Sequence, residues 1–483
     1  MAIDEDEVRV SEPIGVDVAV VGAGLSGLSV AWRLQRLAPQ YKVVVLEASD
    51  RLGGNITTAA QDGFVWELGP NSFAPTPTLL QLIADVGLQD QLLRGDRHLP
   101  RYIYWRGQLH PLEPTRPLAL ATTGLLSPWG KLRAALGAIG FVPPHLSSSD
   151  ESVSAFFRRH LGAEVAERLV APFVSGVYAG DPQQLSAAAA FRRIAQLEQL
   201  GGSLLAGALR LRKQQPPKPL PPKGLEMRPG ELGSFRDGLS ALPRAIAEQL
   251  AAPIHLHTPL HRLTPEPTGG YSLSTANGEH TWRARTVVLA TPAYVSADLL
   301  RPWQPTMAEA LGSIPYPAVA CVVLAYPVGV GATVRPGFGV LIPRRQGLRT
   351  LGTIWSSCLF PERTPAGWQV FTSFIGGATD PELARLPSEA IVEQVQQDLA
   401  KLLALPPAKA RLLGMKLWRR AIPQYTLGYP ERWQQICHAL HQLPGLFLCS
   451  NYAAGVALGD RVEHANATAA AVQAYLGGGH GTV

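Results

Sequence analysis

The hydrophobic pattern near the start of the chain consists of short continuous apolar runs separated by a stretch with helical spacing. The run DVAVV at residues 17–21 is followed by GAGLSG and then by LSVAWRLQRL, whose apolar positions recur at helical spacing. A second apolar run, YKVVVLEAS at residues 41–49, contains an acid at its end. Continuous apolar runs bounded by turn residues are typical of buried strands. The pattern therefore predicts a strand, a glycine turn, a helix and a second strand.

Similar patterns recur in the middle and near the end of the chain. Residues 254–263 (IHLHTPLHRL) alternate as a strand does, and TVVLATPA at 286–293 predicts a buried strand that ends in a proline turn. Residues 445–476 predict a strand, a glycine-containing loop and a helix. We therefore predict an α/β (α+β) fold with a Rossmann-like domain assembled from discontinuous segments.

Two further stretches have an unusual amino-acid composition. Residues 210–230 contain five prolines within 216–222, which predicts a semi-extended surface connection rather than a helix. Residues 116–144 are strongly apolar but are interrupted by Gly, Pro and Ser. This second stretch has two interpretations: a pair of core helices, or a surface that enters a bilayer with Trp129, Lys131 and Arg133 at the level of the lipid headgroups.

The composition narrows the function classes. A chain of 483 residues with 46% apolar and 17% charged positions predicts a globular protein of two or three domains. Its net charge of +6 is spread over the whole chain, which argues against nucleic-acid binding and leaves attraction to carboxylate ligands or an anionic membrane open. Neither the four cysteines nor the histidines have zinc-ligand spacing, so we expect no metal site.

Targeting signals are not evident in the sequence. The N-terminal stretch MAIDEDEVRVSEP lacks an apolar signal region and an Arg/Ser-rich transit pattern, and no apolar run is long enough to span a bilayer. We expect a cytoplasmic, peripherally membrane-associated protein of bacterial origin, although a mature plastid protein would have the same appearance.

A nucleotide-binding motif lies in the first strand–helix–strand unit. Gly22, Gly24 and Gly27 form GxGxxG after a strand and before a helix, and Glu47 ends the next strand, where a carboxylate can accept hydrogen bonds from ribose hydroxyls. A carboxylate there disfavours NADP but leaves NAD and FAD. The following Arg51-x-Gly53-Gly54 resembles the element that helps to hold the flavin half of the dinucleotide in FAD oxidases of the amine oxidase class. We therefore predict FAD.

A flavin would also account for the lack of a catalytic constellation. The sequence contains no G-x-S-x-G elbow, no H-E-x-x-H and no Walker A motif. His255 and His257 share a predicted strand face but have no carboxylate at ligand spacing. We predict no catalytic side chain, because the flavin carries the chemistry and the protein places the substrate.

Several separated motifs resemble the oxygen-dependent, FAD-containing protoporphyrinogen oxidases of plants and cyanobacteria. The similarity runs over essentially the whole chain. The motifs are VVGAGLSGL, ELGPNSF, VSGVYAGDP, SFRDGLSALP, GFGVLIP, LGTIWSS, FIGG and NYAAGVALGDRVEHA.

The resemblance implies a set of residues for each ligand. Those expected to bind FAD are Gly22, Ala23, Gly24, Leu25, Ser26, Gly27, Glu47, Ala48, Arg51, Gly53, Gly54, Gly69, Pro70, Asn71, Ser72, Leu260, Trp418, Val456, Ala457 and Leu458. For the substrate, the resemblance implies that Arg101 pairs with a propionate and that a glycine near the flavin, Gly180, lets the substrate edge pass. It implies that Leu341 and Ile354 hold one side of the macrocycle and that Phe374 stacks on the other.

The resemblance also implies an architecture and a reaction. Its FAD-binding domain would comprise residues 1–94, 233–299 and 415–483. Its mixed-sheet substrate domain would comprise 95–118, 209–232 and 300–414, and its helical, membrane-associating domain 119–208. The reaction would oxidise protoporphyrinogen IX to protoporphyrin IX with O2, in heme or chlorophyll biosynthesis, and a homodimer is expected.

Several alternatives to this reaction remain. The substrate alternative is coproporphyrinogen III, which carries more propionates. Within the same fold, a carotenoid desaturase or an amine oxidase is the alternative enzyme. Outside catalysis, the alternatives are an FAD-stabilised scaffold and a membrane-surface adaptor that uses residues 116–144.

Overall fold

The structure is a computed structural model that describes residues 12–112, 122–143, 150–214, 221–228, 230–276, 280–331 and 335–478. Contacts divide the chain into two compact units. The first unit comprises Met1–Gly54, Leu242–Ser313 and Trp433–Val483, and the second comprises Asn55–Ala241 and Ile314–Arg432. The predicted α/β fold assembled from discontinuous segments is confirmed, whereas the division into three domains stays a prediction.

The strands of the described chain are β1 Ile14–Val21, β2 Val43–Leu46, β3 Thr58–Gln61, β4 Phe64–Glu67, β5 Leu92–Gly95, β6 Arg101–Trp105, β7 Gln108–Leu112, β8 Leu232–Phe235, β9 Ile254–His255, β10 Leu260–Pro265, β11 Tyr271–Thr275, β12 Thr281–Leu289, β13 Val319–Pro327, β14 Gly339–Leu341, β15 Thr350–Trp355, β16 Trp368–Gly376, β17 Arg411–Trp418 and β18 Leu446–Leu448. The helices are α1 Leu25–Leu37, α2 Pro77–Asp85, α3 Pro128–Ile139, α4 Val153–Leu161, α5 Ala163–Val165, α6 Ala171–Tyr178, α7 Ala187–Ala190, α8 Arg192–Gly201, α9 Leu204–Gln214, α10 Ala241–Glu248, α11 Ala293–Leu300, α12 Pro305–Gly312, α13 Ser356–Leu359, α14 Ser388–Leu403, α15 Tyr429–His441, α16 Asn451–Ala454 and α17 Leu458–Leu476.

The first unit is built on a sheet with the order β10-β11-β12-β1-β2-β9, in which β18 also pairs with β12. The pairs β12–β1, β1–β2, β2–β9 and β12–β18 are parallel, while β10, β11 and β12 form an antiparallel meander. The second half of β1 and the whole of β2 are apolar and buried, as expected for parallel strands that helices cover, and α1 packs against α17. This is the Rossmann-like element order that the apolar runs predict.

The second unit contains a seven-stranded mixed sheet with the order β17-β13-β16-β15-β14-β6-β7. All of its neighbours are antiparallel except β14 and β6. Side chains from one face of this sheet form a buried core with Ile391, Val395 and Leu399 of α14. Two short ribbons, β3–β4 and β5–β8, and the helices α2 to α9 and α13 also belong to this unit.

Two local predictions are wrong in detail. The predicted strand 254–263 is interrupted after His255 and resumes at Leu260, because His257 adopts a left-handed φ of 52° that no strand can contain. The predicted connection at 210–230 begins later than expected, since α9 continues through Gln214. The residues 210–214 are good helix formers and precede the first proline. Residues 215–220 and 229 lie outside the described part.

For the apolar stretch 116–144, the sequence predicts either a pair of core helices or a membrane surface. Residues 116–121 and 144 lie outside the described part, and the remainder holds one helix, α3. This helix is largely exposed rather than buried in a core, and the Trp129 side chain is 79% exposed. Among the helices of the described residues, none combines the length and apolarity needed to cross a membrane.

Candidate functional site

The glycine turn of the first unit is tightly folded between β1 and α1. Gly22 has a φ of 104°, in the region that favours glycine, and its N–H donates to the Leu46 carbonyl oxygen at 2.7 Å. A Cβ atom on Gly27 would lie 1.9 Å from the Gly22 oxygen, so the close packing of helix and turn requires glycine. The backbone N–H groups at the start of α1 remain available for phosphate oxygens.

The carboxylate that ends β2 is attached to this turn. Glu47 accepts hydrogen bonds from Ala23 N at 2.7 Å, from Ser49 N at 2.9 Å and from Ser49 Oγ at 2.7 Å. Its half-buried position beside the glycine turn is where a ribose would lie in a dinucleotide site. The combination of a tight glycine turn and an adjacent carboxylate fits a bound dinucleotide.

The Arg-x-Gly-Gly element packs directly on the same turn. Gly53 N donates to Ala23 O at 2.9 Å, and Arg51 Nη2 donates to Gly54 O at 2.5 Å. The structure therefore brings together the predicted cofactor residues of this segment. Ala48 is exposed and lies next to Glu47.

The other predicted cofactor residues of the first unit lie at the ends of elements. Leu260 begins β10 and is half-buried, while Leu458 begins α17. Val456 and Ala457 precede that helix without a side-chain cap, which leaves backbone donors at its N-terminus.

In the second unit, the ladder register places the predicted substrate residues on one face of the mixed sheet. One row across the strands is Arg101, Gly339, Ile354 and Thr372, and the next is Leu341, Gly352 and Phe374. Residues paired across strands point to the same face, so Arg101, Leu341, Ile354 and Phe374 share a side. We call these four positions the open face, because their side chains are only half-buried, whereas Cys321 and Val323 on the same side of the sheet are buried against Phe64 and Trp66.

The opposite side of the same sheet is filled by side chains that alternate with the open-face residues. Tyr102, Val340, Trp355 and Phe371 are buried and belong to the same core as α14. We call this side the packed face. The contrast separates half-buried from fully buried positions, which apolarity alone does not distinguish.

Arg101 lies at one end of the open face. Its guanidinium carbon is 5.2 Å from the centroid of the Phe338 ring, and within the described residues no carboxylate pairs with it. Burial lowers the pKa of Arg101. The adjoining cleft is lined by Asp96, Arg97 and the apolar Leu99, Leu232 and Leu359. A half-buried cation without an ion-pair partner is suited to an incoming carboxylate.

The turn in ELGPNSF is held from several sides within the second unit. Trp418 Nε1 donates to Leu68 O at 2.7 Å, so two predicted flavin-contacting regions, Trp418 and the Gly69–Ser72 turn, lie together. Asn71 is 7% exposed, and its Oδ1 atom has no hydrogen-bond partner in the described part of the chain. A buried acceptor without a donor fits a ligand that supplies one. Pro70 and Ser72 are half-buried.

Gly180 is buried within the second unit. A Cβ atom there would lie 2.6 Å from Gln424 Oε1 and 2.8 Å from Leu185 Cδ1, so these side chains already explain the glycine. Its predicted contact with the substrate edge stays a prediction. The nearby helix α6 does reach the open face, because a Cβ on Gly176 would lie 2.3 Å from Leu341 Cδ2.

Sequence reasoning missed two buried polar residues near these positions. Arg363 pairs with Glu67 at 3.1 Å, and Gln424 Nε2 donates to Tyr178 O at 2.8 Å. No local pattern around either residue indicates its partner. Within the described chain, no cluster of three or more His, Cys, Asp or Glu side chains could hold a metal ion.

Known proteins that are similar to this chain include flavin-containing enzymes and named protoporphyrinogen oxidases. A model of the family described as flavin containing amine oxidoreductase matches residues 25–473. The chloroplastic protoporphyrinogen oxidase of Nicotiana tabacum is 42% identical over 476 residues, covering 95% of this chain and 86% of that protein. Protoporphyrinogen oxidase 1 of Arabidopsis thaliana is 41% identical, with 96% of this chain and 89% of that protein covered. The coproporphyrinogen III oxidase of Bacillus subtilis is 29% identical, with 95% and 98% covered.

Solved structures share the fold. The crystal structure of a candidate protoporphyrinogen oxidase from Exiguobacterium sp. 255-15 has a TM-score of 0.79 and 26% identity, covering 96% of this chain and 99% of that chain. Putrescine oxidase bound to putrescine has a TM-score of 0.65 at 17% identity, covering 96% and 100%, which shows likeness of fold alone. The predicted resemblance is confirmed: the chain belongs to the flavin containing amine oxidoreductase family and, within it, to the protoporphyrinogen oxidases, with FAD as its cofactor.

Proposed function

We propose that this protein oxidises protoporphyrinogen IX to protoporphyrin IX, with three molecules of O2 reduced to hydrogen peroxide. The observation that supports this most strongly is its identity of 41–42% with plant protoporphyrinogen oxidases over at least 95% of the chain. Coproporphyrinogen III is less supported, because the relative named for that substrate is 29% identical. FAD supplies the redox chemistry when bound, two electrons at a time.

The protein's part in this reaction is to bind and orient the substrate. Arg101 would hold a propionate through a charge-assisted hydrogen bond, since no acid in the described chain neutralises it. The cleft beside Arg101 contains one further cation, Arg97, and one acid, Asp96.

The remaining open-face residues would hold the macrocycle. Leu341 and Phe374 lie on one row of the sheet and Ile354 on the next, so a flat ring standing on this side of the sheet would have Leu341 and Ile354 on one side and Phe374 on the other. Their half-buried side chains would be desolvated by the ring. Glu47, Ala23 and Gly22 would hold the nucleotide half of FAD in the first unit, and Asn71 would accept a hydrogen bond from the cofactor in the second.

Anaerobic bleaching of the bound flavin tests the proposal. Protoporphyrinogen IX, coproporphyrinogen III, a polyamine and phytoene would each be mixed with the holoenzyme without O2, and flavin absorbance followed over time. We expect the fastest bleaching with protoporphyrinogen IX. Faster bleaching with coproporphyrinogen III would transfer the assignment to that substrate. No bleaching by any of the four would favour a non-catalytic scaffold.

Two substitutions assign the binding roles. Arg101→Ala should raise KM for the porphyrinogen more than it slows flavin reduction at saturation, and Arg101→Lys should recover part of the loss; an unchanged KM in Arg101→Ala would remove the propionate role. Glu47→Ala should release FAD, so the purified variant should lack the yellow colour. A Glu47→Ala protein that retains stoichiometric FAD would contradict the ribose contact.

We also propose that α3 and α9 lie on an anionic bilayer surface. Trp129, Leu132, Leu136 and Ile139 follow helical spacing along one side of α3 and are 37–79% exposed.

The neighbouring residues extend this apolar surface. Phe141, just beyond the helix, is 70% exposed, and α9 packs on α3 with Leu205 and Leu209 exposed. Basic residues Arg212 and Lys213 end α9, which suits acidic headgroups. Of the predicted headgroup residues, Arg133 instead donates to the His160 carbonyl at 3.1 Å.

Vesicle sedimentation tests this membrane surface. Binding to phosphatidylcholine vesicles should increase when phosphatidylglycerol is added, and Trp129→Ser should reduce it. The control is Val328→Ser, which removes another exposed apolar side chain, 65% exposed, directly after β13. Equal loss in both variants would contradict a specific surface. We propose the same surface for attachment to the cytoplasmic side of a bacterial membrane. The protein is also expected to form a homodimer, which light scattering of the purified protein measures.

A further inference from the structure

Glu67 ends β4, directly before the turn in ELGPNSF, and its side chain is 0% exposed. Its Oε1 atom accepts from Leu239 N at 2.7 Å and from Arg363 Nη1 at 3.1 Å. Its Oε2 atom accepts from Thr58 Oγ1 at 2.6 Å. Every oxygen of this carboxylate is therefore occupied by the protein, which leaves no place for a ligand.

The other half of the pair is equally enclosed. The Arg363 side chain is 5% exposed, and its guanidinium donates to Phe235 O at 2.9 Å and to Ser234 Oγ at 2.5 Å. Burial raises the pKa of Glu67 and lowers that of Arg363, which reflects the cost of placing both groups out of water. Removing one partner would leave the other buried and uncompensated.

These contacts connect the two ends of one turn. Glu67 precedes the turn, while Phe73, which follows it, exchanges backbone hydrogen bonds of 2.9 and 2.8 Å with Gly233. Arg363 holds Ser234 and Phe235, the two residues after Gly233. The ion pair therefore links the residue before the turn to the strand that pairs with the residue after it.

The enclosed turn carries a group that is suited to a ligand. Asn71 lies between the two fixed ends and is buried, with its Oδ1 atom unpartnered in the described chain. Leu68 N donates to Thr57 O at 2.8 Å, and Leu68 O accepts from Trp418 Nε1 at 2.7 Å, so the entry to the turn is fixed in both directions.

We propose that Glu67 and Arg363 are positioning residues that hold the Gly69–Ser72 turn, and Asn71 in it, in the conformation that receives the flavin ring. The pair does not contact the cofactor and takes no proton from the substrate. This inference rests on the proposed role of the turn in FAD binding. It does not depend on which porphyrinogen is oxidised.

The central test is FAD binding to Glu67→Gln. The amide keeps the shape of the side chain but removes the charge that compensates Arg363. We expect the Kd for FAD, measured by titrating the apoprotein, to rise at least about tenfold. The visible absorption bands of the bound flavin should shift as well, because Asn71 would no longer be held in place.

A second ion pair in the same unit provides the matched control. Arg349 Nε and Nη2 bind Asp380 Oδ2 and Oδ1 at 2.7 and 2.8 Å, and this pair holds no residue of the turn. Asp380→Asn should lower the melting temperature while leaving the FAD Kd and spectrum within about twofold of the parent. Equal changes in Kd for Asp380→Asn and Glu67→Gln would overturn the proposal.

Milder variants keep the test usable if Glu67→Gln does not fold. Thr58→Val removes one hydrogen bond to Glu67 and should shift the FAD Kd in the same direction by a smaller factor. Arg363→Lys keeps the charge and should recover part of the affinity that Arg363→Met loses. A lower melting temperature with unchanged FAD Kd and spectrum in all of these variants would assign the pair to stability alone. Because neither readout needs a substrate, the outcome is separate from the bleaching experiment.

Discussion

The two faces of the seven-stranded sheet in the second unit are built from the same strands but differ in what covers them. On the packed face, Val322, Phe371 and Ile375 are at most 1% exposed and contact a helix that supplies Val395 and Leu399. On the open face, Leu341, Ile354 and Phe374 are half-buried, and α6 approaches Leu341 at Gly176.

The difference indicates how stability and binding are divided within one sheet. Burial of apolar side chains stabilises the fold in proportion to the area removed from water, and the packed face is already fully buried. The open face keeps accessible area, which a ligand can bury instead. Substitutions on the first face should therefore change the free energy of unfolding, and those on the second should change substrate affinity.

The largest effect is expected from Phe371→Ala on the packed face. This ring is 1% exposed and makes an edge contact with Tyr326, with centroids 6.0 Å apart. Its removal should lower the free energy of unfolding by about 3–5 kcal/mol, as for other buried aromatic truncations. Denaturant titration measures the loss. KM and kcat per folded, FAD-loaded molecule should be unchanged. A clear rise in KM for Phe371→Ala would contradict the distinction between the two faces.

A smaller loss is expected where α14 is attached to the sheet. Asp398 on this helix is 1% exposed and accepts from Thr350 N at 2.7 Å and Arg349 N at 3.0 Å at the start of β15. In Asp398→Asn, one acceptor oxygen becomes an NH2 group, which cannot accept from the donors around the carboxylate. The substitution should cost about 1–3 kcal/mol of unfolding free energy. Gln394→Ala, which removes a single 3.0 Å contact to the other oxygen of the same carboxylate, is the control and should cost less.

The division into faces also explains what the sequence could and could not predict. The strand, glycine turn and helix at the start of the chain were predictable because their signals are local. Phe371 and Phe374 are the same residue type on one strand, and only the pairing of Phe374 with Gly352 assigns it to the open face. Arg363 could not be found because Glu67 lies 296 residues away. The break after His255 was not predictable, because the alternation of apolar and polar residues continues through 254–263 while the backbone of His257 is left-handed.

Phe374→Ala is the open-face counterpart of Phe371→Ala. The ring is half-buried, so its truncation should cost about 1 kcal/mol of unfolding free energy, well below the loss at Phe371. If the ring stacks on the macrocycle, the affinity for porphyrinogen should fall by about 0.5–1.5 kcal/mol, measured as a rise in KM with a smaller change in kcat. A stability loss equal to that of Phe371→Ala, with KM unchanged, would contradict the assignment of Phe374 to the substrate.

The smallest effects come from removing one methyl group on each face. Ile375→Val on the packed face, where the side chain is 0% exposed, should cost about 1 kcal/mol of unfolding free energy and leave KM unchanged. Ile354→Val on the open face removes the same group from a half-buried side chain, so its stability cost should be about half as large. Its KM should instead rise about twofold, because the lost methyl group would have been buried by the macrocycle. If instead KM rose in Ile375→Val and stayed unchanged in Ile354→Val, the ladder register would not determine which residues contact the substrate.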